Sequence, residues 1–282
     1  TKNILTTKSV IKGCRIWSAS IFVLNSIHNF NIIQSMIRNI TGALNGGFLT
    51  FKGVKRIVIN YSEFHFNIAL KFGGVLYGKF IEILHIIHSK FSNNTARIAG
   101  GAIYTIKAKN TLFVNSSFLA NKLTDNAIRK VGGSCFLVHV ATFISKSCIL
   151  QNNTGDLGGS LFVQVAVKVL IANTMFNKNW GLIRGAAIFI AKVNSTKIHH
   201  SQFFANSAQK GPGAIDVVGG NVISVEMTSF LYNSGLKGGA FQVSNSSTVF
   251  IIASSFYRNV ALSKGDSDPE GGALHLTKIR FT

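Results

Sequence analysis

The stretch GGAIYTIKAKNTLFVNSSFLANK, Gly100–Lys122, carries the two landmarks that decide the fold. A glycine pair opens it, and a Phe three residues before an Asn closes it. The glycine landmark returns mostly every 26 or 27 residues, at Gly47, Gly74, Gly101, Gly133, Gly159, Ala186, Gly213, Gly239 and Gly272. The Asn landmark returns with the same period, at Asn67, Asn94, Asn121, Asn179, Asn206, Asn233 and Asn259. Two independent landmarks with one period indicate an internal repeat.

Each repeat unit has the pattern of a circuit of short strands. Apolar residues alternate with period two, as in Ile57 and Ile59, and this alternation is typical of half-buried strands. One circuit of about 27 residues cannot bury its own apolar face, so the copies must stack on each other. The sequence therefore predicts an all-β fold, a right-handed parallel β-helix of about nine to ten coils with roughly 27 residues per coil.

Stacked copies would place like side chains in rows along the interior. The Phe residues should stack at about 4.8 Å, the strand spacing of a sheet. The Asn residues should form a ladder, because Asn tolerates left-handed backbone and offers both a donor and an acceptor. In one copy, Cys148 takes the Phe place and Asn152 comes one residue late. Three cysteines are too few for a disulfide framework, and we expect Cys135 and Cys148 to be core residues.

The regularity of the repeat divides the chain into two parts of a single domain. Residues 46–282 carry the regular repeats, and residues 1–45 are predicted to form one or more irregular first coils. In this first part, the tetrapeptide Met36–Asn39 is a degenerate copy of FxxN, which places Asn39 in the ladder. The last segment, GGALHLTKIRFT, has the form of an incomplete copy, so we expect the repeats to continue in a longer parent chain.

The paired landmarks resemble the repeats of the chlamydial polymorphic outer-membrane proteins. The resemblance covers roughly residues 46–276 and is carried by the FxxN units together with Gly100–Ile103, Gly213–Ile215, Gly238–Phe241 and Gly271–Leu274. It implies a pectin-lyase-like right-handed β-helix and a surface-exposed, adhesive or structural role. It implies no catalytic residue, and we assign neither a catalytic residue nor a cofactor. The strongly basic composition departs from the family pattern.

The charge balance constrains the class of partner. The chain has 29 Lys and Arg against nine Asp and Glu, a formal net charge of +20. Such an excess favours anionic partners, although a compositional bias toward Lys at solvent positions is an alternative. The Lys residues do not interleave with aromatic residues in one groove-like run, so no specific nucleic-acid partner is predicted. We expect other copies or flanking segments of the same protein, and anionic glycans, as partners.

The positions of the acidic residues distinguish a structural protein from an enzyme. A β-helix enzyme that cleaves acidic polysaccharides needs clustered acids, as paired catalytic groups or as calcium ligands. Six of the nine acids fall in different copies and cannot be aligned on neighbouring coils. We therefore predict no enzyme, with a lyase or hydrolase acting on an acidic polymer as the alternative. Asp266, Asp268 and Glu270 alternate in a glycine-flanked loop and form a weak calcium candidate; no other metal site is predicted.

Acceptor sequences for N-glycosylation are numerous. The pattern N-x-[S/T] gives the candidates Asn60, Asn93, Asn115, Asn152, Asn194 and Asn245. Asn194 and Asn245, which lie in polar spans, are the preferred candidates. No apolar run reaches the roughly 18 residues of a membrane span, so no transmembrane segment is predicted here. These features favour an extracellular or cell-surface glycoprotein.

One column of aromatic residues follows the glycine corner. It consists of Tyr77, Tyr104, Phe136, Phe162 and Phe189. If Leu76 and Ile103 point inward, these rings point outward and form a contact surface, since contiguous exposed apolar patches mark interaction sites. Reversed parity, or cover by another part of the parent chain, would remove that surface. The function that fits best is a non-catalytic structural or adhesive solenoid, a segment of a larger surface or filament-forming protein.

Overall fold

The computed structural model describes residues 2–16, 20–124, 130–262 and 271–279. They form a parallel β-solenoid of about nine turns with about 27 residues per turn. These described residues contain no helix and form 31 strands, numbered β1 to β31 in chain order. The strands build three parallel sheets that run the length of the solenoid. The predicted all-β, parallel β-helical fold is confirmed.

Each of the three sheets contains one set of strands that recurs along the chain. Sheet 1 comprises β1 (Asn3–Thr7), β3 (Phe22–Asn25), β4 (Asn29–Ile33), β7 (Leu49–Asn60), β10 (Leu76–Ile87), β13 (Ile103–Val114), β16 (Cys135–Lys146), β19 (Leu161–Ala172), β22 (Ile188–His199), β25 (Ile215–Glu226), β28 (Phe241–Ile252) and β31 (Leu274–Thr277). Sheet 2 comprises β2 (Val10–Lys12), β5 (Met36–Arg38), β8 (Glu63–His65), β11 (Lys90–Ser92), β14 (Ser117–Leu119), β17 (Ile149–Gln151), β20 (Met175–Asn177), β23 (Gln202–Phe204), β26 (Ser229–Leu231) and β29 (Ser255–Tyr257). Sheet 3 comprises β6 (Ala43–Asn45), β9 (Ile68–Phe72), β12 (Thr95–Ala96), β15 (Lys122–Leu123), β18 (Thr154–Leu157), β21 (Trp180–Arg184), β24 (Ser207–Ala208), β27 (Ser234–Gly235) and β30 (Val260–Ala261).

Neighbouring strands in each sheet come from successive turns, so equivalent residues lie directly above one another. In sheet 1, Leu76 is paired with Leu49 on one side and Ile103 on the other. The long strands of this sheet are twelve residues each. They bend in the middle at a left-handed residue, such as Phe80 with φ 56° or Lys107 with φ 59°. The pairing is interrupted at the bend, but its register is the same on both sides.

The glycine corner is required by close approach of backbone. Gly100 has φ +61°, and a Cβ there would lie 2.2 Å from the carbonyl oxygen of Ile103. A Cβ on Gly101 would lie 2.2 Å from the carbonyl oxygen of Gly133 on the next turn. Neither space admits a side chain. The repeated glycine pair of the sequence therefore marks the place where consecutive turns are packed backbone to backbone.

The Phe column forms the centre of the core. Phe91 and Phe118 are fully buried, and their ring centroids lie 5.1 Å apart with an interplanar angle of 11°. The same stacking links Phe176 to Phe203 at 4.8 Å. The predicted interior row of Phe residues is confirmed. The row is interrupted once, at Leu150, which is paired with Phe118 on one side.

The place of Cys148 corrects the sequence alignment of one turn. Leu150, and not Cys148, stands in the Phe column. Cys148 stands where other turns carry Ser or Thr, and its Sγ donates to the carbonyl oxygen of Lys146 at 3.3 Å. The prediction that Cys148 occupies the Phe place was wrong: Leu150 follows Gly133 by 17 residues, as Phe118 follows Gly101, so the Phe place lies two residues after Cys148. Cys135 and Cys148 are both buried, as predicted.

The Asn residues form a continuous buried ladder. Asn94 Oδ1 accepts hydrogen bonds from the backbone N–H and from Nδ2 of Asn67, each at 3.0 Å. Asn94 Nδ2 donates to the carbonyl oxygen of Phe64 and to Oδ1 of Asn121, also at 3.0 Å each. Every donor and acceptor of the amide is used, which offsets the cost of burying it. The predicted ladder is confirmed.

Two members of the ladder differ from the sequence prediction. In the turn of Cys148 the ladder residue is Asn153, whose Oδ1 accepts from the backbone N–H of Asn121 at 2.9 Å, while Asn152 is exposed. Near the start of the chain, the backbone N–H of Ile40 donates to Asn67 Oδ1 at 3.2 Å. Asn39 is exposed with φ 58°, so its predicted place in the ladder was wrong by one residue.

The first strands join the same sheets as the rest. β1 pairs with β4, and β2 pairs with β5, in parallel register. β3 and β4 pair with the two halves of β7 and so correspond to one long strand that is interrupted. The division into irregular first coils at residues 1–45 and regular repeats afterwards stays a prediction, because strand pairing alone does not define such a boundary.

Candidate functional site

The outward face of sheet 1 carries a stack of five rings, which we call the outer aromatic column. Leu76 and Ile103, which directly precede Tyr77 and Tyr104, are fully buried. Inward and outward side chains therefore alternate along the strand, as the sequence predicts. Consecutive centroids lie 5.2, 4.6, 5.0 and 5.2 Å apart, and no interplanar angle exceeds 13°. The members are Tyr77, Tyr104, Phe136, Phe162 and Phe189.

Most of this column is covered by the chain itself. Tyr104, Phe162 and Phe189 are only 8, 5 and 8% exposed. The ring of Phe72 lies 4.7 Å from that of Tyr104, and Leu157 packs in the hydrophobic cluster that contains Phe162 and Phe189. The pKa of Tyr104 is raised to about 12, mainly by burial and further by Tyr77. The last residues of sheet 3 strands, just before the glycine corner, therefore cover these rings.

The stacking limits what the outer aromatic column can bind. A base or a sugar ring that stacks on an aromatic side chain needs a free ring face. Here each inner ring has both faces against its neighbours in the column, so only ring edges reach solvent. Beside the column lies a groove of about 650 Å³. Its lining includes Phe136, Phe162, Phe189, Leu157, Gln164 and Asn245. A contact role for the column stays a prediction, and its shape favours packing over sugar stacking.

A buried ion pair ends the outer aromatic column. Asp216 is paired with Phe189 in sheet 1 and its side chain is fully buried. Arg184 contacts it through Nε and through Nη2, which lies 3.3 Å from Oδ1. The guanidinium of Arg184 also lies 5.7 Å from the centre of the Phe189 ring. Burial raises the pKa of Asp216 to about 6, and the positive charge of Arg184 opposes that rise.

Sequence reasoning missed this ion pair. The alignment does place Asp216 after Phe189 in the column, so an acid in an apolar series was a detectable signal. Its partner Arg184 lies at the end of β21, where the repeats do not align, and no spacing points to it. The pair links the end of β21 to sheet 1.

The other described carboxylates are engaged separately. Glu63 lies 2.7 Å from His65 Nε2, and Glu226 lies 2.8 Å from Lys197 Nζ. Asp156 accepts from the backbone N–H of Lys130 at 3.0 Å. Among the residues that the structure describes, no group of three or more His, Cys, Asp or Glu side chains could hold a metal ion. The calcium candidates Asp266, Asp268 and Glu270 lie outside the described residues.

The predicted glycosylation acceptors differ in accessibility. Four of them are exposed at left-handed corner residues: Asn93, Asn115, Asn152 and Asn245. Asn194 is exposed, and its Oδ1 accepts from Asn221 Nδ2 at 2.6 Å. Asn60 is half-buried, with its Oδ1 buried and without a hydrogen-bond partner. Asn60 is therefore the least accessible candidate.

Comparison with known proteins supports the repeat resemblance. Residues 88–106 match the Chlamydia polymorphic membrane protein (Chlamydia_PMP) repeat. This match and the parallel solenoid confirm the resemblance to repeats of that kind. The metabotropic glutamate receptor-like protein R of Dictyostelium discoideum is 28% identical over 185 residues, which cover 66% of this chain and 9% of that protein. No solved structure matches the chain. Within the described ranges, no helix is both long enough and apolar enough to cross a membrane.

Proposed function

We propose that this chain is a non-catalytic structural or adhesive solenoid at the cell surface, a segment of a larger surface or filament-forming glycoprotein. The observation that carries the proposal is the repeat itself. A sequence match to a repeat of membrane proteins coincides with a solenoid whose turns are held by one continuous Asn ladder. A solenoid of this kind presents long, regular outer faces, which suits adhesion and extension.

Two further features support a surface role. Five of the six glycosylation candidates are exposed, as a glycan requires. The parallel sheets also present equivalent side chains on successive turns, and such rows can bind repetitive partners. The partners that fit are other copies or flanking segments of the same protein, and anionic glycans.

Surface labelling of the parent protein tests the proposal. Intact cells that express it would be treated with an impermeant biotin reagent or with protease, beside lysed cells. We expect labelling and cleavage within these repeats on intact cells, and a mobility shift on removal of N-glycans. Labelling only after lysis would contradict the surface role. A smaller glycan shift after an Asn194→Gln and Asn245→Gln double substitution would place glycans at the preferred acceptors, with Asn60→Gln as the control expected to change nothing.

Asp216 is the observation that favours the alternative, a lyase or hydrolase of an acidic polymer. A carboxyl group with a pKa of about 6 can exchange a proton near neutral pH. Its side chain is nevertheless fully buried and paired with Arg184, so a substrate cannot reach it in this conformation. Incubation with pectate, alginate and hyaluronan should release no product. Turnover that Asp216→Asn abolishes would overturn the non-catalytic proposal.

A further inference from the structure

A cluster of cations occupies the outer face of three consecutive turns, where β7, β10 and β13 bend. We call it the basic patch; its members are Lys52, Lys55, Arg56, Lys79, Lys107 and Lys109. Lys52 is paired with Lys79 in the sheet register. Lys55 and Lys109 occupy the same repeat position two turns apart, with Glu82 between them. Turns of a parallel sheet are about 4.8 Å apart, so the charges are closely spaced.

The basic patch has little internal neutralisation. Glu82 is the one described carboxylate within ion-pair distance of it, with Oε1 3.6 Å from Lys109 Nζ. Lys52, Lys55, Arg56 and Lys107 are exposed. The positive charge of the basic patch also acts on the half-buried His85. Its pKa is lowered first by burial and then by the charge of Arg56. Like charges held this close favour binding of a polyanion.

A groove runs through the basic patch. It has a volume of about 330 Å³, and its lining includes Phe80, Glu82, Lys107, Lys109 and His139. Phe80 is 48% exposed at the bend of β10, and the ammonium of Lys107 lies 5.1 Å from the centre of its ring. The groove therefore combines two Lys side chains of β13 with one apolar ring and one carboxylate acceptor.

We propose that the basic patch binds a linear anionic polysaccharide, with carboxylate or sulfate groups on the Lys and Arg side chains. Hydroxyl groups of such a polymer can donate to Glu82. Single-stranded nucleic acid would need several free aromatic faces for base stacking. The groove lining contains one Phe ring, Phe80, which already contacts Lys107, and no Tyr or Trp. The choice of a glycan over a nucleic acid also rests on the proposed surface location.

Binding measurements with a matched charge control test this proposal. Labelled heparin and alginate oligosaccharides would be titrated with the purified chain and with Lys55→Gln/Lys107→Gln/Lys109→Gln. We expect affinity to fall about tenfold in the triple variant, since each exposed charge contact contributes modestly. The control Lys71→Gln/Lys122→Gln/Lys178→Gln removes the same charge from exposed residues outside the basic patch. It should change affinity by less than about twofold.

The outcomes separate the alternatives. Equal loss of affinity in both triple variants would show that net charge, and not the basic patch, binds the polymer, and this result would overturn the proposal. Duplex DNA of matched charge that binds as tightly as the oligosaccharides would overturn the choice of a glycan, as would absence of all binding. Unchanged thermal unfolding of both variants excludes misfolding. Surface labelling is scored separately, so positive labelling without oligosaccharide binding contradicts this proposal alone.

Discussion

The inner Phe column and the outer aromatic column are built from the same repeat and have almost the same geometry. Phe91 and Phe118 stack at 5.1 Å, and Phe136 and Phe162 stack at 5.0 Å. The inner rings are fully buried beside the Asn ladder, whereas Phe136 remains half-buried outside the core. Stacking therefore follows from the period of the repeat, and burial follows from what lies opposite each column.

This difference in burial predicts a difference in energetic contribution. A ring inside a closed core leaves a cavity when it is removed, since close-packed neighbours relax only partly. A ring outside the core is covered by the ends of sheet 3 strands, which can move toward the vacated space or admit water. The two columns should thus respond differently to the same substitution, despite their equal ring spacing.

Truncation of one ring in each column gives the largest expected effect. Phe118→Ala should lower the free energy of unfolding by about 3–5 kcal/mol. Phe136→Ala removes the same atoms from a half-buried site and should lower it by about 1–2 kcal/mol. Urea unfolding followed by circular dichroism measures both values. Equal losses would show that the outer aromatic column is as much a part of the core as the inner one.

A substitution in the Asn ladder tests how much its hydrogen bonds, as distinct from ring packing, contribute to the free energy of unfolding. Asn121→Ala removes a buried amide that donates to the carbonyl of Phe91 at 3.0 Å and accepts from Asn94. Several buried groups lose their partners, so we expect a loss of about 2–4 kcal/mol. Asn93→Gly, at an exposed left-handed residue next to the ladder, should be almost neutral. A similar loss in both variants would remove the special role of the ladder.

The inner columns could be predicted from the sequence because their members are chemically uniform. Phe91 and Asn94 recur at one spacing, and both were placed correctly. The prediction failed where uniformity is lost. In the turn after the longer connection, two adjacent Asn residues could both be aligned with the ladder. The ladder residue is Asn153, and not Asn152. In the same turn, Phe143 is paired with Thr111.

The outer face was less predictable for a different reason. Period two gives the direction of Tyr104 and Phe162 but not what covers them. The cover comes from the ends of sheet 3 strands, such as Leu157 at the end of β18, and the lengths of these strands vary between turns. The basic patch was missed because Lys55 and Lys109 are far apart in sequence and become neighbours of Glu82 only through the register. Contacts across turns require the alignment to be known first.

The pH dependence of stability tests the polar end of the outer aromatic column. Asp216 has its pKa raised from 3.8 to about 6, first by burial. The folded state then holds a proton more tightly than the unfolded state, so this contribution to stability is fully present below about pH 4 and is lost as pH rises through 6. The stability of the wild type relative to Asp216→Asn should fall by about 2 kcal/mol between pH 4 and pH 7. A pH-independent difference would indicate a carboxylate fully stabilised by Arg184.

The smallest effect on the free energy of unfolding is expected in the turn where Leu150 interrupts the inner Phe column. Cys148 stands in the column of Ser116 and Thr174, and its Sγ makes the 3.3 Å bond to Lys146 that a hydroxyl makes elsewhere. Cys148→Ser restores the stronger donor, so we expect the free energy of unfolding to rise by up to about 1 kcal/mol. Cys135→Ser, whose position is occupied by Ile103 and Leu161 in adjacent turns, buries a hydroxyl among apolar side chains and should lower it by about 1 kcal/mol. Opposite signs from one chemical change, read by urea unfolding under reducing conditions, would show that the two thiols belong to different columns; a loss in both would return Cys148 to the apolar row.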